Sequence, residues 1–250
     1  MIELRKVSYA FKGSENDEAK AISDIDLEIR QGEFIILLGA NGSGKTSLLN
    51  LIAGTLEPQT GKIMAEGHDI TKLKEHKRCK WIARLFQNPL SGTAPDLSLL
   101  ENFRIASLRT KFKGLKIGTD EKFRRKVREH VSQLGLGLEM KLDQAVGTLS
   151  GGQRQAITLS MAVMDDAKIL LMDEPTAALD PKTSEIFMSL TSRIIEERKL
   201  SCLFITHQLK NALKYGERII QLERGKIIRD IQGDKKSKLS LPELFMWFGQ

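Results

Sequence analysis

A chain of 250 residues, 41% hydrophobic and 28% charged, can bury a substantial core and has the composition of an ordinary globular protein. Its longest apolar runs, "FIILLGA" and "ILLM", fall far short of the roughly 20 residues needed to cross a bilayer, and the start "MIELRKVSYAF" lacks the apolar core of a signal peptide, so the expected location is cytoplasmic. A net charge of +7 admits nucleotide, nucleic acid or anionic lipid as partners without choosing among them.

Short β-rich runs come first: "IELRKVSYAF", then "AISDIDLEI" with alternating apolar positions, then the continuous apolar "EFIILLG", which predicts a buried strand. "GKTSLLNLIAG" predicts a helix with Leu48, Leu49, Ile52 and Ala53 on one side and Gly54 closing it. "WIARLF" predicts a strand ending at Gln87. From about residue 90 to 165 helices and loops replace the β pattern, including "LSLLENFRIASL", the basic "EKFRRKVREHVSQL" and the segment after a glycine pair, which reads as an inserted helical subdomain. The alternation resumes with strand "KILLMDE" and helix "DPKTSEIFMSLTSRIIEER", capped by Asp180 with Pro181 at its first position and with Ile186, Phe187, Leu190, Ile194 and Ile195 on the buried face. "LSCLFITH" is another buried strand, and "RIIQLERGKIIRDI" a hairpin turning at Arg224-Gly225. "LSLPELFMWFGQ" predicts a short amphipathic helix packed on the core. Cys79 and Cys202 have no metal-site or CxxC spacing and read as reduced thiols.

"GANGSGKT" matches the phosphate-loop pattern in full, with Gly39, Gly44, Lys45 and Thr46 at the defining positions. Its glycines let the backbone aim N–H groups at phosphates along the run Gly39, Ala40, Asn41, Gly42, Ser43 and on to Ser47. Lys45 reaches the β and γ oxygens, and the Thr46 hydroxyl binds Mg²⁺. "ILLMDEP" is an apolar strand ending in two acids: Asp173 suits the Mg²⁺-linked carboxylate, while Glu174, one step along the pleat, projects to the other side toward an attacking water. Gln87, at a strand end leading into the insert, can touch Mg²⁺ or water, and His207, at another strand end, can donate to a γ-phosphate. "LSGGQRQAI" is a second phosphate-binding construction, a glycine pair opening a helix. A helix N-terminus offers an anion only about 0.3 to 2 kcal/mol, so this loop is too weak to hold a nucleotide alone but strong enough to sense a γ-phosphate already bound.

In their order and rough spacing, "GANGSGKT", Gln87, "LSGGQ", "ILLMDEP", "AALD" and His207 resemble the ATP-binding cassette ATPases of ABC transporters over nearly the whole chain. The resemblance implies an α/β fold: a P-loop NTPase (RecA-like) core with an N-terminal antiparallel β subdomain and an inserted α-helical subdomain. It implies one domain over residues 1–250, with 1–88 and 166–250 as the nucleotide-binding core and 89–165 as the insert carrying the signature. ATP is then the substrate and Mg²⁺ the cofactor, held by Thr46, Gln87 and Asp173, with Glu174, His207 and Lys45 catalytic. Phe11 would stack on adenine, with Tyr9 as its competitor, and Asp180 would end the "AALD" loop at the nucleotide. Ser150, Gly151, Gly152 and Gln153 of one copy would cover the ATP of another in a head-to-tail dimer, or in a paired cassette, giving two sites. The implied partners are membrane permease subunits and, for an importer, an extracytoplasmic solute-binding protein, with the chain peripheral at the cytoplasmic face of the cell membrane. "NPLSGTAPDLSLLENF" and "LGLGLE" resemble bacterial amino-acid importers, including tryptophan/tyrosine systems. The alternatives are an exporter ATPase or a soluble cassette acting on nucleic acid or ribosomes. The basic "RTKFKGLK" and "KFRRKVR" keep the latter open, while a single cassette with a short insert free of heptads argues against it.

Overall fold

The computed structural model describes residues 1–11, 19–109 and 118–248; "RTKFKGLK" after Arg109 and the final Gly-Gln lie outside them. Strand β1 (Ile2–Phe11) pairs antiparallel with β2 (Ala19–Ile29) and with β4 (Thr60–Ala65), and β4 pairs with β5 (His68–Asp69), giving one four-stranded antiparallel sheet. The second sheet has six strands. Its centre is β3 (Phe34–Leu38), flanked in parallel by β8 (Ser201–Ile205) and β9 (Arg218–Glu223). Next to β8 lie β7 (Ile169–Asp173) and then β6 (Ile82–Leu85), both parallel, and β10 (Lys226–Gln232) closes the other edge antiparallel to β9.

Helix α1 (Lys45–Ala53) follows β3 directly, α2 (Glu75–Arg78) precedes β6, and α3 (Leu99–Ser107), α4 (Glu121–Ser132) and α5 (Gly151–Ala162) stand between β6 and β7. Then come α6 (Pro181–Arg198), α7 (Leu209–Lys214), α8 (Asp234–Ser237) and α9 (Leu241–Met246). The continuous apolar strands are explained by burial on both faces, and the pleat divides them. Ile35, Leu37, Leu171 and Leu203 face α1 and the antiparallel sheet, whereas Phe34, Ile36, Leu170 and Phe204 face α6 and the helices between β6 and β7. Fold class therefore matches the sequence reading: mixed α/β, with an antiparallel β subdomain and a helical insertion.

Arg78, almost fully buried, donates to the carbonyls of Leu51 and Ile52 at the open C-terminal end of α1, and to those of Leu73 and Thr71 in the segment before α2. Burial pulls its pKa down to about 10. The hairpin turns at Arg224-Gly225, and both cysteines are free. Leu244 of α9 is buried in the core, as the amphipathic reading requires.

Two local expectations need correction. Strand β6 stops at Leu85, so Gln87 stands two residues beyond it in an exposed bend rather than at the strand end. Ile186 is 50% exposed, whereas the apolar pattern predicts it on the buried face of α6. The buried stripe there runs through Ser184, Phe187, Met188, Thr191, Ile194 and Ile195, and at about 100° per residue Ile186 falls well outside it.

Candidate active site

The phosphate loop runs from β3 into α1, with Gly42 and Gly44 in left-handed conformations (φ 77° and 104°) that aim successive N–H groups at one space. Gly44 also has no room for a side chain, because a Cβ there would overlap the Ala21 carbonyl. Lys45 is nearly buried, and its Nζ donates to the carbonyls of Gly39 (2.8 Å) and Ala40 (2.9 Å). Burial lowers its pKa, against the pull of Glu174 and Asp173. The Ser43 hydroxyl is buried with no hydrogen-bond partner, an orphan that a phosphate oxygen would satisfy.

Asp173 ends β7 and accepts a hydrogen bond from the Thr46 hydroxyl at the start of α1. Burial raises its carboxyl above the ordinary value, the Thr46 bond lowers it, and neighbouring Glu174 raises it again. A cation beside this pair would relieve that burial cost, so Thr46 and Asp173 fit Mg²⁺, which takes few protein ligands alongside phosphate oxygens. When bound, Mg²⁺ would neutralise charge on the β- and γ-phosphates. Gln87 is exposed on the bend that follows β6.

Glu174 lies past the end of β7 with φ 47°, so a left-handed backbone rather than the pleat sets its direction. Its Oε1 is 2.7 Å from Nε2 of His207, which lies two residues beyond β8. The parallel pairing of β7 with β8 and of β8 with β3 is what brings Asp173, Glu174, His207 and the phosphate loop to one end of the sheet. Asp180 caps α6, accepting from the Thr183 N–H at 3.1 Å, and the Thr183 hydrogen bonds hold its carboxyl below the ordinary range.

Phe11 closes β1 with half its surface exposed, while Tyr9 is partly buried against the core; their rings meet edge to face at 5.1 Å. The signature stands elsewhere. Ser150 caps α5 in a reciprocal box, its Oγ accepting from the Gln153 N–H at 3.3 Å while the Ser150 N–H donates to Gln153 Oε1 at 3.2 Å. Ser150–Gln153 line neither of two cavities beside the phosphate loop, of about 570 and 420 Å³. Those cavities bring in residues that sequence reasoning missed: the C-terminal aromatics Phe245, Trp247 and Phe248. Their apolar spacing signalled a packed helix but not the neighbour it packs beside. Also missed was Gln155, buried on α5, whose amide reaches the Phe86 carbonyl at 3.5 Å next to Gln87.

A glycine-cradled loop, a buried lysine, a Thr–Asp pair and a Glu–His pair converging at one sheet end define a P-loop nucleotide hydrolase. The ABC transporter family matches residues 22–177, and the chain belongs to that family. It is 37% identical over 250 residues to a tyrosine transport ATP-binding protein of Clostridioides difficile, covering 99% of this chain and 98% of that protein. It is 31% identical to a phosphonates import ATP-binding protein of Treponema denticola, over 92% of this chain and 89% of that protein. Among solved structures it resembles the ATP-binding cassette MJ0796, a dimer in a post-hydrolysis state bound to ADP and Pi, with TM-score 0.79, 30% identity and coverage of 93% and 98% of the two chains. The protein is therefore an ATP-binding, ATP-hydrolysing cassette of an ABC transporter. Among the described residues no helix is long and apolar enough to cross a membrane.

Proposed function

We propose that this chain is the energy-coupling ATPase of an importer for a small solute such as an amino acid, and that it works as a head-to-tail pair holding two ATP. Import and cargo class rest on the tyrosine transport and phosphonates import relatives. The shared-site reading rests on one observation: Ser150 and Gly151, at the N-terminus of α5, are exposed and line neither the 570 nor the 420 Å³ cavity beside their own chain's phosphate loop. On this reading Ser150, Gly151, Gly152 and Gln153 meet the γ-phosphate held by another copy. Gly39 to Ser47 cradle the nucleotide, Phe11 stacks on adenine by virtue of its exposed ring, and Asp180 combines its cap with a contact near the nucleotide. Thr46, Asp173 and Gln87 hold Mg²⁺. Glu174 polarises the attacking water, with its carboxylate oriented by His207, and Lys45 stabilises charge on the transferring phosphoryl group.

Residues 1–88 and 166–250 form the nucleotide-binding core of this scheme, and 89–165 the insert that takes up the permease's movement. The permease is a separate polypeptide, a solute-binding protein delivers cargo outside, and the cassette sits peripherally at the cytoplasmic face. Mixing Lys45→Ala and Ser150→Arg chains tests the pairing. Each variant alone is inactive, but a mixed dimer has one intact composite site, so an equal mixture should regain about one quarter of wild-type ATPase activity on random symmetric pairing. No recovery at any ratio, with both variants folded, would refute the shared site.

A further inference from the structure

The C-terminal segment folds back onto the active site and is fastened there at three places. Lys236 Nζ donates to the carbonyls of Leu213 (2.9 Å), Tyr215 (3.0 Å) and Gly216 (2.7 Å), closing the open end of α7, the helix that follows His207. Leu244 is fully buried. Gln221, itself buried on β9, donates through Nε2 to the Trp247 carbonyl at 3.0 Å and accepts from Arg229, whose guanidinium lies 5.1 Å from the centroid of the Trp247 ring. Leu222, next along β9, presses on the start of the phosphate loop: a Cβ on Gly39 would overlap its carbonyl.

The segment thus bridges two loops of the site. Trp247 and Phe248 share a cavity of about 420 Å³ with Ala40–Ser43, and Phe245 and Phe248 share one of about 570 Å³ with Asn41 and His207. We propose that Trp247, pinned by Gln221 and Arg229, is a positioning residue for ATP binding: it walls the side of the phosphate loop between Ala40 and Ser43. The loop is glycine-rich, and Gly42 has open space around it, so an outer wall restricts conformations that nucleotide binding would otherwise have to suppress. The cavity that Trp247 shares with Ala40–Ser43 is lined by none of Thr46, Asp173 and Glu174, so its effect falls on nucleotide binding rather than on the chemical step.

Two measurements test this. The chain has two tryptophans, so Trp81→Phe leaves Trp247 as the sole indole reporter with the C-terminal segment intact. Titration with Mg²⁺ and ATP should then shift the emission, with a midpoint equal to that of ATP binding, and the shift should vanish when Lys45→Ala is added. Separately, Trp247→Ala should raise KM for ATP about 3- to 10-fold with kcat changed less than about twofold, and Trp247→Phe should recover most of the loss. Emission unmoved at saturating ATP overturns the proposal, as does a wild-type KM in folded Trp247→Ala. Should Trp247→Ala not fold, the emission titration decides alone. Neither readout requires a permease or a mixed dimer, so this proposal and the shared-site reading fail separately.

Discussion

Of Lys45, Thr46, Asp173, Glu174 and His207, only Glu174 has a positive φ, 47°, a conformation that costs a non-glycine residue on the order of 1 to 3 kcal/mol. Pairing with His207 at 2.7 Å and the bond from its own N–H to the Ile205 carbonyl at 3.1 Å keep it there. If its carboxylate polarises the attacking water, Glu174→Gln, whose amide oxygen can still accept from His207, should bind ATP as the parent does and lose about 10²- to 10⁴-fold in turnover. ATP binding measured beside single-turnover hydrolysis checks both halves, and near-normal hydrolysis would remove Glu174 from the role. Lys45 and Thr46 were legible because a motif of fixed spacing between strand and helix leaves their backbone little choice, and Asp173 because it is the first acid at the end of an apolar strand. Glu174 was legible by position only, since the left-handed turn that aims it depends on contact with β8.

At the level of elements, the glycine pair that opens α5 is two glycines with different reasons. A Cβ on Gly152 would overlap the Thr183 methyl of α6, whereas one on Gly151 meets only Leu179 at an ordinary 3.7 Å. Gly152→Ala should therefore displace α5 from α6 and lower stability by about 1 to 3 kcal/mol, as overpacking does. Gly151→Ala should leave stability unchanged or slightly raised, alanine being the better helix former by about 1 kcal/mol. Thermal unfolding of the two variants gives the comparison. ATPase activity lost in stable Gly151→Ala would then report a contact made outside the chain's own fold, as the shared site requires. The motif alone presents both residues as phosphate binders, and only the packing of α5 on α6 separates them.

At the scale of the whole molecule, the helices between β6 and β7 are tied to the rest partly through a titratable contact. Arg198 of α6 lies 3.0 Å from Nε2 of His130 on α4, a bond that only the neutral ring can accept, and also donates to the Val163 carbonyl at 2.5 Å. Burial, with Arg198 and Lys126 adding to it, lowers the His130 pKa from 6.5 to about 4. The folded pKa is the lower one, so between these values the unfolded chain binds the extra proton and stability falls as pH drops from about 6.5 toward 4. The partly solvated ring limits the effect to on the order of 1 kcal/mol. Urea unfolding at pH 7 and pH 5 should show a drop in wild type that is smaller in His130→Gln; equal drops would show that His130 does not carry it.

Short-range patterns were enough to set the α/β class, the phosphate loop, the signature, the Asp180 cap and the apolar face of the last helix, because each is a local matter of backbone geometry or periodicity. Only the tertiary structure decided that Ile186 faces outward, that Gln87 stands clear of its strand, that Gly152 is needed by Thr183, and that Phe245, Trp247 and Phe248 border the phosphate loop. Periodicity says which face an element must bury. The partner that buries it is chosen by strand order and long-range packing, which no local spacing encodes.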